Sequence, residues 1–343
     1  MRPEDPSVSS TSLHPAAVLF AGSKPLPVIP AVDHYCGAER QMRKAISLQH
    51  QLGPVFDITL DCEDGAPAGH EREHAQMVGE LVASADNRFG RIGARIHDVT
   101  HPHWREDLEQ IIAACGERLA FLTIPKARGA NDVEILIAAL RETEARNGLT
   151  REIPIHALVE THGALRQAWQ IAALPGVESL DFGLMDFVSE HQGAIAASAL
   201  TSPDQFEHPL IVRAKSEVTA AALAHSVIPT HNVTTALDDG NVALEDARRA
   251  RKQFGYLRMW SIHPNQIEPI LRGMRPAAGE VEDAAAILAQ AQDAQWGPIR
   301  VGTQLHDRGS FRHYWNLLVR ARGTGMELPC EAEQRFFKNQ PTN

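Results

Sequence analysis

Two carboxylates, Glu160 and Asp186, close consecutive strand-like runs, IPIHALVE (153–160) and VESLDFGLMD (177–186), and each run turns through small residues toward a helix-like stretch. Hard cations such as Mg²⁺ take oxygen ligands and keep positions for water or substrate, so a carboxylate pair on neighbouring strand ends is a candidate metal site. Other apolar runs end on ionisable groups as well. Asp61, Glu63 and Asp64 come from DCEDGA, Arg95 from RIGARI, Lys126 follows AFLTIP, and His263 sits in RMWSIHP. In parallel α/β proteins chemistry collects at the carboxyl ends of strands, because helices cover the strand faces while the βα loops are free to vary.

The elements that must present these groups follow a regular rhythm. Short apolar, often β-branched runs at 26–30, 55–61, 91–96, 120–125, 153–160, 179–183, 225–230 and 258–264 predict eight strands. Between them lie longer amphipathic stretches, such as AERQMRKAISLQHQL (38–52) and NDVEILIAALRETEARNG (131–148), which predict helices. Eight strand–helix repeats favour an α/β (β/α)8 TIM barrel over an open doubly wound sheet, and no G-x-G-x-x-G follows any strand. The expected organisation is a flexible arm over 1–24, a catalytic barrel over 25–278 and a C-terminal extension over 279–343. That extension reads as an Ala-rich helix (280–295), a hairpin (299–307) and a final helix (311–323).

The 343 residues include 33 basic and 43 acidic side chains, a net charge of −10 that argues against a nucleic-acid surface. Cys36, Cys62, Cys115 and Cys330 are too scattered to pair as a zinc or redox motif. No run approaches the length of a membrane span, and the expectation is a reduced, cytoplasmic protein. The histidines of HDVTHPH (97–103) read as solvated loop residues, since they lack a carboxylate partner at metal-ligand spacing.

The segments FDITLDCEDGA, ARIHD, LTIPKA, ALVETHGAL, DFGLMDF and WSIHPNQIEPI, in that order, resemble the motifs of the citrate lyase beta subunit and malyl-CoA lyase family, within the HpcH/HpaI aldolase superfamily. The resemblance implies a (β/α)8 barrel, a Mg²⁺ ion (or Mn²⁺), and reversible carbon–carbon cleavage of a β-hydroxyacyl compound, often a CoA thioester, into an enolate and a carbonyl fragment. It assigns the metal to Glu160 and Asp186. It gives Arg95 the enolate oxygen and contact with substrate, and Glu63 and Asp64 the orienting of Arg95 and of metal-bound water; Lys126 is read either as a contact for a substrate carboxylate or as the neutraliser of the acidic cluster. The tail VGTQLHDRGSFRHYWNLLVRA (301–321) resembles the family hairpin that carries an aspartate into a neighbouring subunit, which makes Asp307 the proton-transfer residue and the protein a homo-oligomer, a trimer or hexamer.

One segment departs from that pattern. Where CoA-binding members carry an arginine after the first strand, this chain reads IPAVDHYCGAER (29–40), and Asp33 there is expected to repel a phosphate. Arg40, Arg43, Lys44 and Arg128 are the basic residues able to compensate. The substrate expected is a malyl-CoA-, citramalyl-CoA- or citryl-like thioester. The alternatives are a CoA-independent aldolase that releases pyruvate from a free hydroxy or oxo acid, and a barrel that binds without turnover.

Overall fold

The computed structural model describes residues 14–20 and 24–338, in two compact units: Leu26–Met274, and Met1–Pro25 with Arg275–Asn343. Of the expected N-terminal arm, residues 1–13 and 21–23 lie outside the described residues, while Pro15–Leu19 form a short helix.

In the larger unit eight parallel strands close a barrel in chain order: β1 (Val32–Cys36), β2 (Asp57–Asp61), β3 (Ile92–Arg95), β4 (Leu122–Ile124), β5 (Ile155–Val159), β6 (Val177–Phe182), β7 (Ile228–His231) and β8 (Arg258–Ser261). β8 returns to β1 through the pairs Val32↔Met259 and Asp33↔Trp260. Helices follow the strands, as the alternating pattern predicts. The left-handed glycine Gly148 (φ 69°) stands where the helical stretch 131–148 was expected to end.

Seven of the expected strands fall on observed ones, and the first does not. The run LPVIP (26–30) is not a strand; β1 is VDHYC, six residues further on. Pro25, Pro27 and Pro30 remove three amide donors from a segment that would need them on both edges. The true strand hides its pattern, because its axis-facing side chains are polar.

Strand alternation explains both layers of this unit. Ile58, Leu60, Ile92, Ala94, Leu122, Ile124, Ala157 and Val159 join the buried apolar layer beneath the helices. Their alternates face the axis, and many of them are polar. Arg258, wholly buried, reaches Asp33 Oδ2 at 2.8 Å and Asp57 Oδ2 at 2.6 Å. The Thr59 hydroxyl donates to Asp33 Oδ1 (2.9 Å), and the Trp260 indole donates to Asp181 Oδ2 (3.2 Å). Asp33, His156 and Asp181 bring ligand-type atoms within 4.8 Å of one another. Since Arg258 already stands among these carboxylates, the cluster reads as the barrel's internal charge network.

The smaller unit has its own core, built on Leu288, Phe311, Trp315, Leu318 and Phe336. Its helices are Ala278–Asp293, Arg308–Gly323 and Cys330–Phe336, with the antiparallel hairpin β9 (Ile299–Val301) and β10 (Gln304–His306) between the first two. None of the described helices is long and apolar enough to cross a membrane.

Candidate active site

Register aligns the chemistry. Asp61 pairs with Arg95 across β2 and β3, so the two side chains leave adjacent strand ends together. Arg95 Nε donates to Asp61 Oδ1 at 2.6 Å and its Nη2 to Asp61 Oδ2 at 2.9 Å, a two-pronged pairing that fixes the plane of the guanidinium. Nη2 also lies 3.0 Å from Glu63 Oε2 and donates to the Tyr35 hydroxyl at 2.5 Å.

Tyr35 in turn donates to Asp61 Oδ2 and stacks on Trp260, with ring centroids 5.5 Å apart. Burial, against the pull of Arg95, pushes the Tyr35 phenol well above its ordinary range, so it stays a donor. Asp61 is buried too, yet Arg95 and the hydrogen bonds from Arg95, Tyr35 and the Glu63 amide hold its carboxyl below the usual carboxylate value. The outcome is a charged Arg95, 5% exposed, locked in one orientation.

Lys126 follows β4 with a left-handed backbone (φ 46°), a conformation that side-chain-bearing residues rarely adopt outside functional or tightly held positions. It aims the Lys126 amide at Glu160 Oε1 (2.7 Å). The ammonium contacts Glu63, Asp64 Oδ2 (2.6 Å) and Asp186 Oδ1 (3.9 Å). Against the cost of burial, the Asp64 and Glu63 hydrogen bonds raise its pKa, so it remains a cation among three carboxylates.

Glu160 is 2% exposed and Asp186 is partly open. Burial, and then the charge of Asp186, push Glu160 up to about 8. A buried Glu160 whose ionisation the neighbouring Asp186 charge disfavours, with both side chains offering oxygen at the open end of the barrel, fits a hard divalent cation. Gly183 makes room for this. Because Val159 pairs with Phe182, Gly183 faces Glu160, and a β-carbon built on Gly183 would lie 2.1 Å from Glu160 Oε2. The backbone there (φ −95°, ψ 92°) is open to any residue, so the constraint is space alone. Gly183→Ala is therefore expected to displace the carboxylate, raise the Mg²⁺ concentration needed for half-maximal turnover and lower kcat by about 100-fold. Unchanged metal dependence in a steady-state assay would remove Gly183 from the site.

The structure thus brings together Arg95, Glu63, Asp64, Lys126, Glu160 and Asp186. The division of labour differs from the expectation in two places. Asp61 is the main partner of Arg95, and Asp64 pairs with Lys126, with no hydrogen bond or ion pair to Arg95 among the described residues. Tyr35 was not anticipated, because its strand was not; an aromatic two residues after a buried aspartate, in a period-two run, was the available signal. Asp33 does not stand in a phosphate-facing loop. It lies within β1, 0% exposed, on Arg258, so it does not oppose a phosphate. Of the compensating residues, Arg128 is held by Asp132 and Arg43 by Glu39, while Arg40 is exposed at the start of the helix Glu39–Leu52, just past β1.

Asp307, in the smaller unit, follows β10 and caps the helix Arg308–Gly323; its Oδ1 accepts from the amides of Gly309 (2.9 Å) and Ser310 (3.4 Å). It is exposed. His263 precedes the helix Pro264–Met274, where the Gln266 side chain receives the His263 amide, a structural turn.

Residues 55–264 match the family HpcH/HpaI aldolase/citrate lyase. A citrate lyase from Burkholderia xenovorans LB400 is 51% identical in sequence, with a TM-score of 0.84 over 94% of this chain and 100% of that one. The malyl-CoA/beta-methylmalyl-CoA/citramalyl-CoA lyase of Chloroflexus aurantiacus is 26% identical over 266 residues, 73% of this chain and 76% of its own length. The protein CitE of Mycobacterium tuberculosis, solved with magnesium, acetoacetate and coenzyme A, shares the fold at 22% identity and a TM-score of 0.66, over 86% of this chain and 98% of that one.

Proposed function

Because the chain belongs to the HpcH/HpaI aldolase/citrate lyase family and is thereby a lyase, we propose that it cleaves the α–β carbon bond of a β-hydroxyacyl-CoA of the malyl, citramalyl or citryl type, with Mg²⁺ held by Glu160 and Asp186. The observation that carries this reading is the locked guanidinium of Arg95 beside an all-oxygen donor pair. When bound, the ion supplies Lewis acidity at substrate oxygens.

The chain's own residues account for the rest. The hydroxyl proton leaves, the β-carbon becomes a carbonyl, and the α–β electron pair passes into the thioester, whose oxygen gains charge. Arg95 faces that oxygen as a fixed cation and needs no reorganisation as the charge develops. Asp61 and Tyr35 hold its plane, and Glu63 and Lys126 keep the surrounding charges paired. Arg40 is exposed beyond β1, and this reading assigns it the phosphates of a CoA ester.

The proton moves on Asp307 of the partner subunit, which makes activity a property of the homo-oligomer. Asn is as good a helix cap as Asp, so Asp307→Asn is expected to fold normally and to lose about 100- to 10,000-fold in kcat. Co-expressing it with Arg95→Ala should restore part of the activity in mixed oligomers, since one interface then holds an intact site. Wild-type rates in Asp307→Asn would remove the residue from the reaction, and no complementation would remove the partner subunit from the site.

The test of the reading as a whole is a steady-state assay with Mg²⁺ over malyl-CoA, citramalyl-CoA, citryl-CoA and the corresponding free acids. Cleavage of a thioester supports it. Pyruvate release from a CoA-free acid with every thioester inert would replace it with the aldolase alternative.

A further inference from the structure

A guanidinium carries its N–H donors in a rigid fork, one on Nε and a pair on each terminal nitrogen. In Arg95 most of them are spent. Asp61 takes the Nε donor (2.6 Å) and one from Nη2 (2.9 Å), and the Tyr35 hydroxyl takes the other Nη2 donor (2.5 Å). Glu63 Oε2 stands a further 3.0 Å from the same nitrogen. Nη1 makes no hydrogen bond among the described residues, and it is not one of the fully buried polar atoms that lack a partner. Arg95 therefore meets the active site with a single nitrogen.

The hydroxyl that occupies the last Nη2 donor is firmly seated. Tyr35 donates onward to Asp61 Oδ2, and its ring lies on that of Trp260, with 19° between the planes and 5.5 Å between centroids. Trp260 is held in turn by its indole bond to Asp181 (3.2 Å). The turn after β2 closes against the same oxygens: a β-carbon built on Gly65 would lie 2.5 Å from the Tyr35 hydroxyl, and the Gly65 amide donates to Asp61 Oδ2 at 2.6 Å. A ligand could displace the hydroxyl only by opening both the stack and the turn.

That seat decides which oxygen groups Arg95 can receive. A carboxylate binds a guanidinium best across two nitrogens, through two parallel hydrogen bonds. Asp61 fills the Nε–Nη2 side, and the Nη1–Nη2 end lacks its Nη2 donor because Tyr35 holds it. A carboxylate would reach Nη1 alone, with its second oxygen turned toward the acidic oxygens of Asp61 and Glu63 on Nη2, an unpaired charge that counts against it. A thioester asks for less. Its one carbonyl oxygen is the acceptor, and its sulfur is a poor one.

Resting on the reaction proposed above, in which Arg95 meets the enolate oxygen, we propose that Tyr35 is a positioning residue that sets specificity: by holding the second Nη2 donor it makes Arg95 a receptor for a single carbonyl oxygen and turns away a carboxylate at the reacting carbon. The class selected is the thioester. Free malate, citramalate or citrate is refused although it carries the same hydroxyl and carbon skeleton.

The test is inhibition of CoA-thioester cleavage, with Mg²⁺ present, by matched probes: L-malate, citramalate and citrate, each beside its N-acetylcysteamine thioester, which keeps the thioester and lacks the nucleotide. In the wild type each thioester is expected to compete at least about tenfold better than its acid. Tyr35→Phe keeps the ring on Trp260 and removes only the hydroxyl, so the freed Nη2 donor completes the fork. The inhibition constant of the acid is then expected to fall by about tenfold, and that of the thioester to change by less than about threefold. Calorimetry with the same acids gives the comparison where the variant folds without turnover, and the wild-type half needs no variant. Equal competition by acid and thioester in the wild type would overturn the proposal, as would a parallel change of both probes in Tyr35→Phe, which would leave Tyr35 merely steadying Arg95. No cleavage of any CoA thioester would overturn the reaction and this role together, whereas cleavage with an unchanged gap in Tyr35→Phe would overturn the role of Tyr35 alone.

Discussion

Arg95→Lys is expected to lower kcat by about 100- to 1,000-fold while the protein stays folded. The expectation rests on shape as well as charge. Arg95 makes two parallel hydrogen bonds to Asp61 and further contacts to Glu63 and Tyr35. An ammonium keeps the positive charge, and so keeps Asp61 ionised, but it cannot reproduce the fork that sets the plane. Removing one donor from a site that stabilises a developing oxyanion typically costs about 2.7–4 kcal/mol in the transition state, which is the stated loss in rate. The loss should fall on kcat, with little change in KM, because the interaction strengthens only as charge develops. Arg95→Ala should lose at least as much activity, and stability with it, since it leaves Asp61 buried without a cation. A kcat within tenfold of wild type for Arg95→Lys would show that the guanidinium serves only to hold Asp61.

The second large effect is on stability. Arg258→Met is expected to destabilise the barrel by about 3–5 kcal/mol, because it strands Asp33 and Asp57, both at most 1% exposed, without their cation. The urea midpoint should fall with the slope unchanged. The loss belongs to the unpaired carboxylates, so adding Asp33→Asn and Asp57→Asn to Arg258→Met should recover much of it, as neutral amides cost far less to bury than unpaired charges. A single variant within 1 kcal/mol of wild type would mean that water reaches this network. Failure of the triple variant to recover would place the cost in lost packing.

These two arginines also show where sequence is informative and where it is not. Arg95 was legible because it ends an alternating apolar run, next to the acidic DCEDGA turn in the chain's own rhythm. Glu160, Asp186 and Lys126 were legible for the same reason: strands whose outward residues are Ile, Leu and Val announce themselves, and the residue after each end is then known. Arg258 and Asp33 were not, since axis-facing charges break the apolar pattern that reveals a strand. That is why β1 was sought at the proline-bearing run 26–30, and why Asp33 was first read as a loop residue facing a phosphate. Tyr35 was lost with its strand. The primacy of Asp61 over Asp64 depends on the register of β2 against β3, which only the folded chain displays. Gly183 was visible in FGLMD as a turn glycine, but its reason, the Glu160 carboxylate opposite, is a contact between strands.

The divalent ion is proposed to sit at Glu160 and Asp186, and Mn²⁺ titration followed by electron paramagnetic resonance tests that placement most directly. One tightly bound ion per wild-type chain is expected, displaced by Mg²⁺, absent from Glu160→Gln/Asp186→Asn at concentrations that saturate the wild type, and retained in Asp181→Asn. Binding that survives in the double variant, or that disappears with Asp181→Asn instead, would contradict it and move the ion to the buried cluster inside the barrel.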